Sequence, residues 1–450
     1  MKETIRLERM SNGADAIGHL ENGKTIFVAG GAPGDKVTVE VIEDKPTFAR
    51  ARLVVIDEPS PSRVQPPCTH GDTCGGCSWQ HLSYDAQLKA KRSNVVAALV
   101  HTARFDTARA EELVGTCLAS KRQWGYRNKL ELGASHANNG TFLLGLYREG
   151  THDIITPEVC PLAHDAIAKA PKALRGALKF AQGNQDLGIF RVGVRHSLHT
   201  HDLEIALWTR PGSFPRAHVA KTIKSALKTT SIVRVLADPG KARKIKGVET
   251  LEGKGCWAET LAGASFLTSA PSFFQVNTAQ AEKLVEEVIV GLGGHPGENG
   301  FEGLDDLLIA DLYSGGGTFS VPLAQAGADV IAIEAAGSSV RDLRRNTEMN
   351  GVDIEIVGGD AARELPTLGN LDALVVDPPR AGLADGVVES IAAASPERVA
   401  YISCNPATWA RDVIRFEENG YHLMRVRPVD LFPQTHHIEV ASIFERENGC

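Results

Sequence analysis

The C-terminal third of this 450-residue sequence predicts an α/β domain on a doubly wound sheet, preceded by an N-terminal OB-like β-barrel and a central α+β domain. Three observations carry that reading. Short alternating segments crowd the first 58 residues, apolar strands alternate with helices beyond residue 300, and charge divides the chain into three unequal parts. A chain of this length exceeds one comfortable core, so several domains are expected.

Within residues 1–58, Ile5-Arg-Leu-Glu-Arg, Thr25-Ile-Phe-Val, Lys36-Val-Thr-Val-Glu-Val-Ile and Ala49-Arg-Ala-Arg-Leu-Val-Val-Ile read as strands. Glu21-Asn-Gly-Lys and Gly30-Gly-Ala-Pro-Gly-Asp supply turns, and a small barrel of the OB type fits. The proline-rich stretch 59–67 reads as a linker into a central domain over 59–262, with the α/β domain over 263–450.

The net charge is −7, which argues against a histone-like basic binder. Resolved along the chain it is −1 up to residue 66, +10 over 67–260 and −16 from 261 onward. A basic middle suggests a surface for a polyanion, with Lys121, Arg122, Arg127 and Lys129 on phosphates and Trp124 and Tyr126 stacked on bases. The first ten residues lack the apolar core of a signal peptide, and no apolar run approaches the ~18 residues of a membrane helix. A cytoplasmic protein with no membrane contact and no evident obligate protein partner is expected.

In the last third, Leu307-Leu-Ile-Ala-Asp-Leu, Val330-Ile-Ala-Ile, Ile354-Glu-Ile-Val, Ala373-Leu-Val-Val and Val399-Ala-Tyr-Ile-Ser are the strands. Helical stretches such as 338–346 and 408–416 separate most of them, and the Gly-rich stretch 291–303 reads as a loop. Such alternation makes a parallel sheet whose ligand lies at the strands' carboxyl ends. At the first of these ends stands Asp311-Leu-Tyr-Ser-Gly-Gly-Gly-Thr-Phe-Ser320, and about 20 residues on Glu334 is placed to accept ribose hydroxyls. Ser320 replaces the third glycine of a dinucleotide fingerprint and no P-loop is present, which disfavours NAD and ATP and leaves S-adenosylmethionine on a class I methyltransferase sheet.

The fourth strand ends in Asp377-Pro-Pro-Arg-Ala-Gly382, a stiff platform with Asp377 at the tip. The fifth ends in Ser403-Cys404-Asn-Pro406, offering a thiolate. Phe432-Pro-Gln-Thr-His436-His437-Ile-Glu439 opens a further strand with His437 and Glu439 on one face, Glu439 as general base, and Thr435 or His436 as a positioning group. Methylation of a pyrimidine ring carbon needs this kit. Thiolate addition at C6 makes C5 nucleophilic, and a base must then remove the C5 proton.

Cys68, Cys74 and Cys77 lie within ten residues, and Cys160-Pro161 follows. In a cytosolic chain four such cysteines point to a metal or an iron–sulfur site, and a triplet plus one suits a [4Fe–4S] cluster better than the paired spacing of zinc. Cys117, Cys256 and Cys450 fall outside the pattern.

Taken together, the motifs resemble the S-adenosylmethionine-dependent RNA 5-methyluridine methyltransferases, particularly bacterial 23S rRNA uracil-C5 enzymes, over nearly the whole chain. Residues 1–58 resemble a TRAM domain, and Tyr126-Arg-Asn-Lys129 and Gly145-Leu-Tyr-Arg148 resemble segments of the RNA-binding central domain. Pro271-Ser-Phe-Phe-Gln-Val-Asn277, Asp311-Leu-Tyr, Glu334, Asp377-Pro-Pro-Arg and Ser403-Cys-Asn-Pro follow the family's catalytic motifs in order. The resemblance implies Gln275, Tyr313, Glu334 and Asp377 as contacts of S-adenosylmethionine, Cys404 as nucleophile and Glu439 as base. It implies Cys68, Cys74, Cys77 and Cys160 as [4Fe–4S] ligands. Ser314-Gly315 stands where members often have Cys-Gly, and Thr318 where many have Asn. RNA is the expected partner, with the barrel and cysteine set favouring rRNA over tRNA. A non-catalytic RNA-binding factor is the reading from another class, and intact Asp377, Cys404 and Glu439 speak against it.

Overall fold

The computed structural model describes residues 2–240, 244–298 and 300–447. Strands Lys2–Met10, Ala16–His19, Thr25–Val28, Lys36–Asp44 and Phe48–Glu58 close into a barrel. Alternation puts Ile5, Leu7, Ile26, Val28, Val37 and Val39 inside. The sequence signals found every strand except the four-residue Ala16–His19, which is too short to display a period. Gly18 is required there, because a Cβ would come within 2.8 Å of the Arg6 carbonyl oxygen.

The proline-rich stretch is not a free linker. Asp35, buried in the barrel, accepts from the Ser60 backbone N–H at 2.8 Å and from the Arg63 guanidinium at 2.7 Å. Those partners hold its carboxyl below the usual range against the opposing effect of burial.

The central part is a seven-stranded mixed sheet in the order Gly247–Gly253, Ser231–Leu236, Leu203–Thr209, Ile189–His196, Lys129–His136, Phe142–Tyr147 and Ile154–Ile155. Helices Ala170–Gln182 and Arg216–Ala226 pack on it through Leu174, Leu178, Val219 and Ile223.

The C-terminal sheet runs Ile354–Gly358, Asp329–Glu334, Leu308–Leu312, Ala373–Val376, Arg398–Ser403, Glu439–Arg446 and Tyr421–Val429. Its first five strands are parallel and the last two antiparallel. Strands such as Ala373–Val376 are apolar throughout because helices cover both faces. The doubly wound sheet is therefore present as expected. Two local expectations differ. His295–Gly297 and Gly300–Glu302 pair as short antiparallel strands within the expected loop, and residues 432–438 are a loop, so His437 shares no strand face with Glu439.

Two segments cross the division drawn from charge. Helix Tyr84–His101 and helix Thr107–Leu113 bury Val95, Val96, Leu99 and Ala110 in the same core as Trp409, Val426 and Phe444. Val114 and Leu118 extend this contact through bridges to Val426 and Val429. Lys91, wholly buried, donates to Asp430 at 2.5 Å and to the Phe432 carbonyl at 3.1 Å. Leaving either ion of such a pair unmatched costs about 3–5 kcal/mol, so the pair fixes helix Tyr84–His101 to the C-terminal domain. Likewise hairpin Trp257–Leu261/Ala264–Thr268 packs with helix Thr278–Leu292, so a boundary at 262 falls inside one structural unit. Among the described residues, no helix is long and apolar enough to cross a membrane.

Candidate active site

Parallel register brings the motif residues to one end of the sheet. Leu312 pairs with Ile333 on one side and Val376 on the other, so Tyr313, Glu334 and Asp377 emerge from adjacent strands. Glu334 accepts from the Gly315 N–H at 2.8 Å and the Ala336 N–H at 2.6 Å, which ties the glycine turn to the second strand. Gly315 and Gly317 have φ of +58° and +93°, and a Cβ on Gly317 would strike Leu343 at 2.7 Å. Tyr313 itself sits at φ +62°, a strained conformation costing about 1–3 kcal/mol that recurs at ligand sites.

Beneath the turn, buried Asp311 accepts from the Ser320 hydroxyl at 2.5 Å, while its Oδ1 has no partner. Burial pushes Asp311 up to about 7, with Asp377 and Glu334 adding to the rise. Burial raises Asp377 to about 7 as well. An orphan carboxylate oxygen and two buried carboxyls raised by desolvation are groups that a neighbouring cation would ionise.

Cys404 and Glu439, the expected nucleophile and base, stand at the ends of neighbouring antiparallel strands. The ladder ends at Ser403 and Val440, which places Cys404 and Glu439 at the adjoining ends of the two strands. Burial pushes the Cys404 thiol up to about 11, Glu439 and Asp377 push in the same direction, and Arg380 opposes them. Glu439 is buried, and its carboxyl is raised well above the usual range by burial and Asp377. Arg380 again opposes the shift. Arg380 thus acts on both groups, and sequence reasoning assigned it no role although it stands inside the quoted Asp377-Pro-Pro-Arg motif. Its backbone is fixed by Asn405 and Thr408, both of which donate to its carbonyl.

Gln275 belongs to the turn that enters helix Thr278–Leu292. Its carbonyl accepts from the Asn128 side chain at 2.9 Å, and two residues on Asn277 donates to Leu431. Buried Arg195 braces the same turn through the carbonyls of Ser269 and Ser272. The turn holds Phe273 out at 67 % exposure, beside buried Phe274. A sequence shows two adjacent phenylalanines without showing which one faces solvent. Tyr126 differs from expectation. It is 1 % exposed and its hydroxyl donates to the Pro433 carbonyl, so it braces the loop before Glu439 and offers no face to a base. Trp124 is partly exposed and remains available to stack.

Cys68, Cys74, Cys77 and Cys160 are free thiols and line one cavity of about 500 Å³, together with Arg127, Tyr147 and His152. Burial raises the Cys74, Cys77 and Cys160 thiols, and neighbouring cysteines reinforce the rise at Cys74 and Cys77. Among the described residues, no three His, Cys, Asp or Glu side chains are arranged to hold a metal ion. The expected [4Fe–4S] ligands thus share one cavity without forming a metal-binding group among the described residues. Cys117 and Cys256 lie elsewhere, and Cys450 lies outside the described residues.

The profile described as tRNA (Uracil-5-)-methyltransferase matches residues 83–447, and that of the TRAM domain matches residues 2–54. An uncharacterized RNA methyltransferase of Halalkalibacterium halodurans is 32 % identical over 460 residues, covering 98 % of this chain and 96 % of that protein. An uncharacterized RNA methyltransferase of Gloeobacter violaceus is 33 % identical over 463 residues, with 98 % and 96 % covered. Among solved structures, the Pyrococcus abyssi tRNA (uracil-54, C5)-methyltransferase in complex with S-adenosyl-L-homocysteine superposes with a TM-score of 0.75 at 27 % identity. That match covers 98 % of this chain and 99 % of the other. With these matches, the chain belongs to the tRNA (uracil-5-)-methyltransferase family and carries an N-terminal TRAM domain.

Proposed function

We propose that the protein transfers a methyl group from S-adenosylmethionine to C5 of uridine in RNA through a covalent Cys404 adduct. The observation that carries this reading is the Cys404–Glu439 pair beside Asp377, at the tips of adjacent strands. A methyl transfer to nitrogen or oxygen has no use for a thiol there.

The methyl donor supplies an electrophilic methyl on a sulfonium cation. Glu334 faces the ribose, the glycine turn admits the donor's close approach, and Asp311 and Asp377 provide the negative surroundings a sulfonium needs. Cys404 adds to C6 of a uracil flipped out of its stack, and the electron pair displaced from the C5–C6 double bond becomes available at C5. Arg380 favours the thiolate form in which Cys404 attacks. After methylation at C5, Glu439 takes the C5 proton, the C5=C6 bond re-forms and the C6–S bond breaks, returning the Cys404 thiolate. Exposed Lys121 and Arg122, with Arg127, hold RNA phosphates, whereas Lys129, expected among them, is mostly buried with its ammonium 2.6 Å from Glu131; exposed Phe273 offers an aromatic face.

Affinity for S-adenosylmethionine should depend on pH. Asp311 and Asp377 are near 7 before binding and must be charged to face the cation. Binding should release protons, tighten above pH 7 and weaken below it, by up to about tenfold per group per pH unit. Calorimetry between pH 6 and 8 reads this directly. Uncharged S-adenosylhomocysteine should show a shallower slope, and equal slopes for the two ligands would remove the carboxylates from the cation's site.

For the four cysteines, the triplet-plus-one spacing and a place on one shared cavity support a [4Fe–4S] cluster over zinc. The purified protein should contain iron and acid-labile sulfide. Stoichiometric zinc without iron would overturn the assignment.

Ribosomal RNA is the first substrate to test, and the Pyrococcus abyssi tRNA enzyme supports transfer RNA as the second. Mass spectrometry of rRNA and tRNA assayed separately should find new 5-methyluridine in one of them. Its absence from both, with the RNAs bound, would favour a non-catalytic factor.

A further inference from the structure

The loop that leads to Glu439 is not held by its own sheet alone. Residues 430–437 are hydrogen-bonded to the segment that follows Cys77 and to the helix after it. The Ser78 hydroxyl lies 3.0 Å from His436 Nδ1 and accepts from the His436 backbone N–H at 3.2 Å. The Trp79 N–H donates to the Gln434 carbonyl at 3.0 Å. Gln87 donates to the Gln434 side chain at 3.0 Å and accepts from its backbone N–H at 2.8 Å. On the far side, the Tyr126 hydroxyl donates to the Pro433 carbonyl at 3.1 Å, and Gly125 and Arg127 pair with Pro161 and Leu162, next to Cys160.

Two walls of the cysteine cavity, one after Cys77 and one beside Cys160, therefore grip the same loop. His436 is kept neutral by burial, with Lys91 and Arg380 adding to that effect. The neutral ring can pair with the Ser78 hydroxyl through Nδ1 while the Ser78 oxygen accepts the His436 backbone N–H. Arg380 also acts on His437, so this loop and the reacting thiol share one cation.

We propose that Ser78 is a positioning residue for the Glu439 base, linking the four-cysteine cavity to the reacting centre through His436. The proposal rests on the reading of Glu439 as base given above. Ser78 touches neither substrate nor methyl donor. Its hydroxyl fixes one backbone N–H and one ring nitrogen, three residues before the carboxylate that must reach the C5 proton. Loss of that fixation should slow proton removal and leave the earlier thiolate addition and methylation intact.

The test compares the full protein with Ser78→Ala, Ser78→Thr and Glu439→Gln on RNA carrying tritium at uridine C5. Three readings are taken: tritium release, the fraction of RNA retained covalently on denaturing gels, and the thermal midpoint. Ser78→Ala should release tritium on the order of tenfold more slowly while covalent RNA accumulates, because displacement of a catalytic group by about 1 Å costs this much or more. Ser78→Thr keeps the hydroxyl and should restore release. A Ser78→Ala protein that works at the wild-type rate would overturn the proposal. So would parallel loss of release and adduct with a lowered midpoint, or failure of threonine to rescue. If Glu439→Gln itself releases tritium normally, the base assignment fails. If Glu439→Gln stalls and Ser78→Ala does not, only the role of Ser78 fails.

Discussion

Cys404→Ala should lower 5-methyluridine formation by on the order of 10⁴-fold and abolish the covalent RNA adduct, while S-adenosylmethionine still binds. The reason lies in the electronics of uracil. C5 gains nucleophilic character only once a group has added at C6, and the neighbouring strand tips offer no second thiol. Cys404 comes from the end of strand Arg398–Ser403, so its replacement leaves the glycine turn, Glu334 and Asp377 in place. Calorimetry of methyl-donor binding and a denaturing gel for the adduct separate the two effects. Cys404→Ser should bind RNA and donor yet form almost no adduct, since a hydroxyl ionises far less readily than a thiol. Full turnover by the alanine variant would end the covalent mechanism.

Because burial holds the free thiol near 11, the thiolate is scarce in the unliganded protein at neutral pH. Turnover should therefore rise with pH on the alkaline side, as Cys404 ionises. The Arg380 guanidinium is the side chain that opposes the shift, so Arg380→Ala should displace this limb to higher pH. The displacement is read from adduct formation in single-turnover experiments. An unmoved limb would remove Arg380 from the thiol's surroundings.

The parts of the fold that sequence displayed are those whose physics is local. Strands buried on both faces are continuous apolar runs, and Ala373–Val376 was delimited to the residue. Strand tips carry the chemistry in this architecture, so Asp377 and Cys404 could be singled out without coordinates. What stayed hidden depends on distant partners. Helix Tyr84–His101 carries Lys91 and Arg92, and its charge grouped it with the basic middle, yet Lys91 is buried against Asp430, 339 residues away. Tyr126 lies among basic residues, the usual setting of a stacking aromatic, and only tertiary packing shows it turned inward onto Pro433. The adjacency of Cys404 and Glu439 follows from antiparallel register between strands that helix Pro406–Glu418 and strand Tyr421–Val429 separate in sequence. The linker over 59–67 looked free because proline composition reports stiffness, whereas its attachment comes from Asp35 in the barrel.

Glu439→Gln should reduce turnover by about 10²–10⁴-fold, the usual worth of a positioned general base, and it should do so in a way that Cys404→Ala does not. Addition and methylation precede the base's step, so methylated RNA should accumulate while bound to Cys404. Glutamine keeps the volume of the buried side chain and cannot take the C5 proton. The C6–S bond then has no electron pair from C5–H to displace it. The wild-type pH profile supplies a second signature. The Glu439 carboxyl is raised well above its usual range by burial and by Asp377, so it is protonated and idle at low pH. Product release should fall as pH drops through that raised value, and the acidic limb should vanish from the residual activity of the glutamine variant. Tritium retained at C5 in the trapped adduct would place the block at proton removal. Tritium lost from the glutamine variant at the wild-type rate would mean that another group takes the proton.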